Sequence, residues 1–598
     1  MVAKPLYARQ DELPPLPLPA LQSALEKLLK SVRPLVTDEE YEHTEAVAKD
    51  FASGVGAELQ RALEERAADS RNWLEDWWLE FIYLRPRWPI AVWINYVGAN
   101  LADELVPYNL TQVQAAAMMT KHVLKFRHLV VTETLEPEKL AGRPLCMDQF
   151  SRMFNSCRVP GEECDVIETY PHDARHIVVM RNNALFAVDV LAADGSTLPD
   201  SDLMQAFEDV LRLAATPFEV DAHPAVSVLT SEERHTWAKV RDARTPFTKL
   251  RQHRPLPLPN PNLLQARQHL VDSHAPNKAT LDLIEKAVFC VALERTEVTT
   301  LQERAHNALL GTGLNRWYDK PFTMVVYPSG ITALNGEHTW ADAMVIVKQQ
   351  DYVMRSVAAD LVANGKPVKG APLPTYRAPT PLVFKLDATL HAAIELAATN
   401  IGKLAGSIDL AVMRFTHFGR GFMKRYGFTP DFFVQMALQL AHWRLHKEFV
   451  ATYETGHTRL FYHGRTETGT SLPWRCVARY GAHHTPALTR THPSIHTAVR
   501  STSTESVAFC KAMTNPSATD SERFEKLKAA IEVHGMFVKD AMTGQAIDRH
   551  LLGLQIAAEV RGAIPFSRGA PPSAACRTLH PNPATADPRH QAQAGAVY

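Results

Sequence analysis

His338, in "NGEHTWADAM", is the residue best suited to moving a proton. A strand-like run ends just before it and a helical run begins just after, a junction that delivers side chains to a cleft. Asp342 follows four residues on, placed to lean back and fix the imidazole tautomer. A histidine held in this way takes a proton from an alcohol or thiol near neutral pH. The chain contains 26 histidines, so the pair alone has an equally plain account as surface or satisfied core residues.

Two further clusters have the chemistry of binding. "HFGRGFMKRYGFTPDFF" sets Arg420, Lys424 and Arg425 just ahead of a helix capped by Thr429 and started by Pro430. Cations beside a helix N-terminus suit an anion, phosphate above all, although a solvated basic loop reads the same way. "ATYETGHTRLFYHGRTET" offers Tyr453, Thr455, Thr466 and Thr468 on strand-like segments, where residues two apart share a face. Arg549, in "IDRHLLGL", precedes an apolar helix face and by itself reads as a surface residue.

The elements that must carry these groups alternate between helix and strand. "LPPLPLP" is a stiff extended entry to an amphipathic helix over Ala20 to Val32. "HIVVMRN" and "ALFAVDVL" read as strands, and "PFTMVVYPSGITALNGEH" as a hairpin about a Pro-Ser-Gly turn. "ADAMVIVKQQDYVM" follows as a helix, then a Pro-rich linker, "KPVKGAPLPTYRAPTPLVF". "FTPDFFVQMALQLAHWRLHKEF" is the clearest helix, with an apolar face at helical spacing. The pattern is that of an α/β (α+β) protein in two domains. The proposed division has an arm at 1–29, a domain bearing His338 at 90–385, and a second domain from 30–89 with 386–562. Ala563 to Tyr598, with six prolines and no hydrophobic period, is expected not to fold.

Composition narrows the partners. With 46% hydrophobic and 22% charged residues, the 598-residue chain has ordinary globular composition, and its net charge of -1 gives no support for a general nucleic-acid or membrane-surface binder. Seven cysteines, an odd number without a CxxC pair, point to reduced thiols and not to a disulfide framework or zinc site. His483, His484, His492 and His496 lack the order of a metal site. No apolar run has the length of a membrane span, and "MVAKPLYARQDELPPLPLP" has no apolar signal core and carries acids that a transit peptide avoids. "GAVY" is not a peroxisomal address, so peroxisome or cytoplasm is expected before mitochondrion.

Taken in order, "LPPLPLPALQSAL", "NWLEDWWL", "CRVPGEECD", "RHIVV", "NRWYDKPF", "TPDFFVQMALQLAHWR", "YETGHTRLFYHGRTET" and "DRHLLGL" resemble successive blocks of the carnitine/choline acyltransferase family. The likeness runs from about Leu13 to Gly562. It implies two CoA-dependent acyltransferase domains with a tunnel between them, CoA and carnitine entering from opposite sides. His338 would be the general base, assisted by Asp342. Tyr453, Thr466 and Arg549 match the residues that hold the carnitine carboxylate. Arg420 and Lys424 match the two lysines facing the CoA 3'-phosphate, the first substituted with its charge kept; Asp431 and Thr455 match further CoA contacts. CoA and acyl-CoA are substrates, no cofactor is implied, and a monomer is expected. "GRTET" and "DRHLLGL" point to carnitine, because choline enzymes carry Val and Asn at the positions of Thr466 and Thr468 and lack the arginine matching Arg549. "YETGHTRLFYHGRTET" and "DAMVIV" look most like the peroxisomal octanoyltransferase branch, which implies a medium-chain acyl group.

Two departures bear on activity. In the family "GRTET" continues at once as Val-Arg-Ser, which here begins at Val499, so Gly469 to Ala498 reads as a thirty-residue insertion. Placed within a strand, it is expected to interrupt the pairing of residues that must stay in register. The tail from Ala563 does not resemble the family's closing segment with its Ser-Thr-Ser oxyanion motif, and Ser501-Thr502-Ser503 aligns elsewhere. A non-catalytic remnant of such an enzyme is therefore the rival reading, and a choline acetyltransferase the third.

Overall fold

The computed structural model describes residues 4–100, 108–161, 163–214, 224–238, 266–467 and 499–561. Its centre is a mixed seven-stranded sheet built from β1 (Tyr96–Ala99), β2 (His176–Arg181), β3 (Ala184–Asp189), β4 (Cys290–Leu293), β5 (Phe322–Val326), β6 (Thr332–Gly336) and β7 (Thr380–Pro381). The spatial order is β1-β6-β5-β4-β2-β3-β7. β4 runs parallel to β2 and β5, and the remaining pairs are antiparallel.

Strand alternation divides the core into two layers. Ile177 and Val179 of β2 point into one layer with the helices Gln112–Val131, Asp200–Leu213 and Ala343–Asn364. Val178 and Met180 point into the other, with Trp237, Leu281 and Trp317. Both faces of the sheet are covered, which is why its strands read as near-continuous apolar runs. Ala388–Ser407, beyond the Pro-rich stretch, places Leu390, Ile394, Ala397 and Ile401 in this second layer. The stretch itself is strapped to the sheet: β7 pairs with β3, and the Tyr376 hydroxyl donates to Asp209 at 2.7 Å.

A third core joins the two ends of the described chain. The helices Leu21–Val32, Asp38–Ser53 and Val55–Ala68 pack with Asp548–Arg561 around Leu28, Leu63, Trp73 and Ile556. The fourth core is small. Pro430–His446, Thr504–Thr514 and Asp520–Met542 meet over Phe428, Met436, Phe509 and Ile531. Thr429 does precede Pro430 at the helix start, but its side chain makes no capping bond. The apolar face read from this helix is only partly covered among the described residues: Leu438 and Leu445 remain 55% and 77% exposed.

Candidate active site

β6 ends at Gly336 and His338 stands two residues beyond it, ahead of the helix Ala343–Asn364. A Cβ on Gly336 would stand 2.9 Å from the Tyr96 ring, so a side chain there would push the hydroxyl end of that ring aside. Tyr96 then meets the His338 imidazole edge-on at 5.2 Å, and Tyr83 stacks on it at 5.6 Å with 15° between planes. The Tyr83 hydroxyl lies 3.3 Å from His338 Nδ1. Asp342 Oδ1 is 4.0 Å from the same nitrogen, in ion-pair range but too far for a hydrogen bond. Burial lowers the pKa of His338 more than Asp342 raises it, so the imidazole is neutral and able to accept a proton at neutral pH. Its side chain keeps 29% of its surface open.

Asp342 is the N-cap residue of Ala343–Asn364, yet its carboxylate does not cap. Arg465 draws it instead, with Nη2 3.2 Å from Oδ1. Burial would raise Asp342, but Arg465 and His338 outweigh it and hold the carboxylate below its usual range. The same guanidinium donates to the carbonyls of His338, at 2.9 Å, and Thr339. Gln149 closes the arrangement, accepting from the Asp342 amide at 2.8 Å.

Behind this loop lies a buried ionic network. Arg158, from "CRVPGEECD", donates to Glu337, to the Thr339 hydroxyl at 2.8 Å and to the Tyr83 carbonyl at 2.6 Å. Asp165 accepts from Arg158 and Arg234, each at 2.7 Å, and pairs with Arg87 at 2.8 Å. Burial alone would raise Asp165; the three arginines reverse that and hold it at about 2. Arg158 therefore ties both flanks of His338, and the backbone of the stacking Tyr83, to one charge centre.

Thr466 and Arg549 come together beside this loop. Arg549 Nε donates to the Thr466 carbonyl at 2.6 Å and Nη2 to the Thr466 hydroxyl at 3.1 Å, with the guanidinium over the Trp78 ring. Glu467 accepts from the Arg549 amide at 3.0 Å. Burial pulls Arg549 down to about 9 and pushes Glu467 up to about 7, which leaves the guanidinium cationic at neutral pH. Trp78, Arg465, Thr466, Glu467 and Arg549 line one pocket, with Arg465 reaching from it to His338. Far from being a surface residue, Arg549 is 4% exposed.

The remaining candidates gather elsewhere. Arg420 and Lys424 lie four apart on the short helix Arg420–Arg425, both exposed. Asp431, in the first turn of Pro430–His446, shares a hydrogen bond with Glu454 that, with burial, raises it to about 7. Glu454 is also 2.7 Å from His534, which burial lowers to about 4. Thr455 is exposed between the strands Tyr453–Glu454 and Gly456–His457, and the Tyr453 backbone pairs with Arg500. Thr468 and residues 469–498 lie outside the described residues.

A family model for Choline/Carnitine o-acyltransferase matches residues 16–249, 260–491 and 474–584. The chain belongs to that family. The choline/carnitine acyltransferases it is similar to include the human (Homo sapiens) liver isoform of carnitine O-palmitoyltransferase 1, 34% identical over 92% of the chain. Human carnitine O-acetyltransferase is 32% identical over 92%, and bovine (Bos taurus) peroxisomal carnitine O-octanoyltransferase 32% over 93%. The chain spans 65% of the length of the palmitoyltransferase, 80% of the acetyltransferase and 82% of the octanoyltransferase. The family match reaches residue 584, beyond the Gly562 at which the motif likeness ends.

For a choline/carnitine acyltransferase, several residues that shape the site were not singled out from sequence. Tyr83 and Tyr96 sit in an aromatic-rich stretch where nothing distinguishes a ring that meets His338 from one filling core. Arg465 stands inside "GRTET", one position before Thr466, and the motif itself was the available signal. Ser501-Thr502-Ser503 serves the packing of the small core. Gln439 and Thr452 bond Ser501 and Thr502, while Ser503 caps Thr504–Thr514.

Proposed function

We propose that this protein transfers an acyl group reversibly between CoA and the hydroxyl of carnitine, with His338 as general base. The observation that carries the reading is that Arg465, which lines one pocket with Thr466 and Arg549, also donates to the His338 carbonyl and so ties that pocket to the loop bearing His338. A carboxylate entering beside Arg549 gains a charge-assisted bond that choline, without a carboxylate, cannot form. Neutral His338 takes the carnitine hydroxyl proton as the oxygen attacks the thioester carbonyl. The tetrahedral oxyanion collapses, the carbon–sulfur bond breaks, and the proton passes to the CoA sulfur. Asp342 and Arg465 hold the loop and its charge balance while the imidazole becomes cationic. Arg420 and Lys424 receive the CoA 3'-phosphate, Asp431 and Thr455 contact CoA further along, and Tyr453 joins Thr466 on the carnitine carboxylate.

A medium-chain acyl group rests on the motif likeness to the octanoyl branch, since relatives named for acetyl, octanoyl and palmitoyl groups stand at nearly equal identity. A peroxisomal or cytoplasmic place follows the same branch; among the described residues no helix is long and apolar enough to cross a membrane. The rival reading is a non-catalytic relative; the Ser501-Thr502-Ser503 run, which aligns outside the oxyanion motif, is taken up by packing bonds and supplies no substitute for it.

His338→Ala in the full chain, assayed for octanoyl transfer from CoA to carnitine, separates these readings. Loss of a general base lowers turnover by about 10²–10⁴-fold while CoA binding is retained. The acid limb of the wild-type profile falls below the ordinary imidazole range, in line with the lowered pKa of His338. Wild-type turnover in the variant removes His338 from the mechanism, and an inert wild-type chain that still binds CoA selects the second reading.

A further inference from the structure

Thr466 and Arg465 reach the site on the return limb of a tight turn. The Thr458 amide donates to the Arg465 carbonyl at 2.8 Å. At Gly464 a Cβ would stand 1.9 Å from the Thr458 carbonyl oxygen, so no other residue closes the turn. His463, just before it, takes the left-handed φ of 48°, a conformation that persists only where surrounding contacts hold it. Those contacts come from distant parts of the chain. The Tyr462 amide donates to Pro14 at 2.9 Å, Asn72 Nδ2 donates to the carbonyls of Tyr462 and His463 at 3.1 Å, and Arg459 pairs with Glu138 at 2.7 Å.

The His463 ring lies between two carboxylates from separate segments. Nδ1 is 2.8 Å from Glu75 Oε1, and Nε2 is 3.6 Å from Asp148 Oδ1. Glu75, Asp148 and His463 would be close enough to share a metal ion. Each acid, however, faces a different ring nitrogen, so the imidazolium itself supplies the positive charge between them. Only the doubly protonated ring presents an N–H to both; a neutral ring turns a lone pair toward one carboxylate.

Other charged groups around it are Arg152, which pairs with Asp148 at 3.1 Å, and Arg71, whose guanidinium covers Tyr462 where that ring stacks on His463. The charge of Asp148 also acts on the Tyr7 phenol and the Cys146 thiol, and burial keeps both protonated and neutral. Burial opposes charge on His463. The hydrogen bond to Glu75 and the charges of Asp148 and Glu75 outweigh it and the repulsion of Arg152, raising the pKa.

We propose that His463, as a doubly paired imidazolium, is a positioning residue that clamps the Thr458–Arg465 turn and so presents Arg465 to His338 and Thr466 to Arg549. The consequence for carnitine rests on the function proposed above; the clamp itself does not. Because the folded pKa is raised, the clamp is complete below the unfolded value of about 6.5 and is lost as pH rises through the folded one.

Hydrogen exchange of peptides covering 459–467, corrected for intrinsic rates, tests the clamp in the full chain without relying on activity. Between about pH 6 and pH 8.5 wild-type exchange in this segment should rise about three- to tenfold relative to the main sheet, the size of two partly exposed ion pairs. His463→Gln should show the high-pH behaviour throughout, and His463→Arg, which keeps its charge, should remove the pH dependence. The Michaelis constant for carnitine should follow the same pattern while that for CoA stays flat. Exchange independent of pH in the wild type, or an unchanged profile in His463→Gln, overturns the clamp, and the wild-type arm stands if the glutamine variant does not fold. An exchange switch in a chain that transfers nothing to carnitine keeps the clamp and removes the carnitine reading; acyl transfer without the switch does the reverse.

Discussion

Deleting residues 469–498 would join Thr468 to Val499, and the strand pairing fixes what should follow. Gly456 pairs with Glu467 and His457 with Thr466. Two residues back along the same segment, Glu454 pairs with Val499 and Tyr453 with Arg500. In an uninterrupted antiparallel ladder the residue two beyond Glu467, residue 469, would face Glu454. Val499 holds that place thirty positions later, so the ladder resumes without slipping. Among the described residues the pairing stands as two short ladders, one on each side of the excursion, and both keep one register. A two-residue repeat of side-chain direction allows either no shift or an even one, and the observed shift is nil. What the excursion still costs is closure entropy. At (3/2)RT ln n, a thirty-residue loop costs about 3 kcal/mol. The deletion should raise stability by about that amount, seen as a higher urea midpoint at nearly unchanged slope. Carnitine affinity should rise or hold, because Thr466 and Arg549 keep their partners. A lower midpoint, or loss of carnitine binding in a folded deletion variant, would refute the continuous-ladder reading and show that 469–498 stabilises the site.

Arg549→Asn should shift the ratio of carnitine to choline use toward choline by at least tenfold, from loss of a charged hydrogen bond worth about 1.5–3 kcal/mol. The ratio is the quantity to measure, because the variant also removes the cation beside buried Glu467 and the side-chain bond to the Thr466 carbonyl, and lowers the folded fraction. An unchanged ratio contradicts the assignment. Arg420→Ala with Lys424→Ala should raise the Michaelis constant for CoA but not for 3'-dephospho-CoA, since removing either side of one interaction erases the same energy. Equal losses with both thiols would show that this exposed pair does not meet the phosphate.

Local sequence located the elements well. The hairpin about Pro328, the helix from Ala343 and the helix starting at Pro430 stand where periodicity and turn chemistry put them. The reason is that each is set by short-range rules: alternation, a helix-starting proline, a tight turn. The Thr429 hydroxyl shows the limit, since a residue can hold the cap position without making the cap bond. The motif likeness also carried the family, because eight ordered blocks sample most of the chain.

The sequence by itself determined that His338 leaves a strand for a helix with Asp342 four residues on, while Thr466 and Arg549 were set beside it only by the motif likeness. Only the tertiary structure decided what those groups touch. Tyr83 and Tyr96 reach His338 from segments more than two hundred residues away, and Arg465 takes the Asp342 carboxylate that local spacing alone would give to the imidazole. Arg549, polar and beside an apolar face, reads as exposed until Thr466, Glu467 and Trp78 close over it. These contacts depend on chain segments that share no period and no spacing. They exist because burying a charge is favourable only where partners from elsewhere in the fold compensate it, and that compensation is a property of three dimensions.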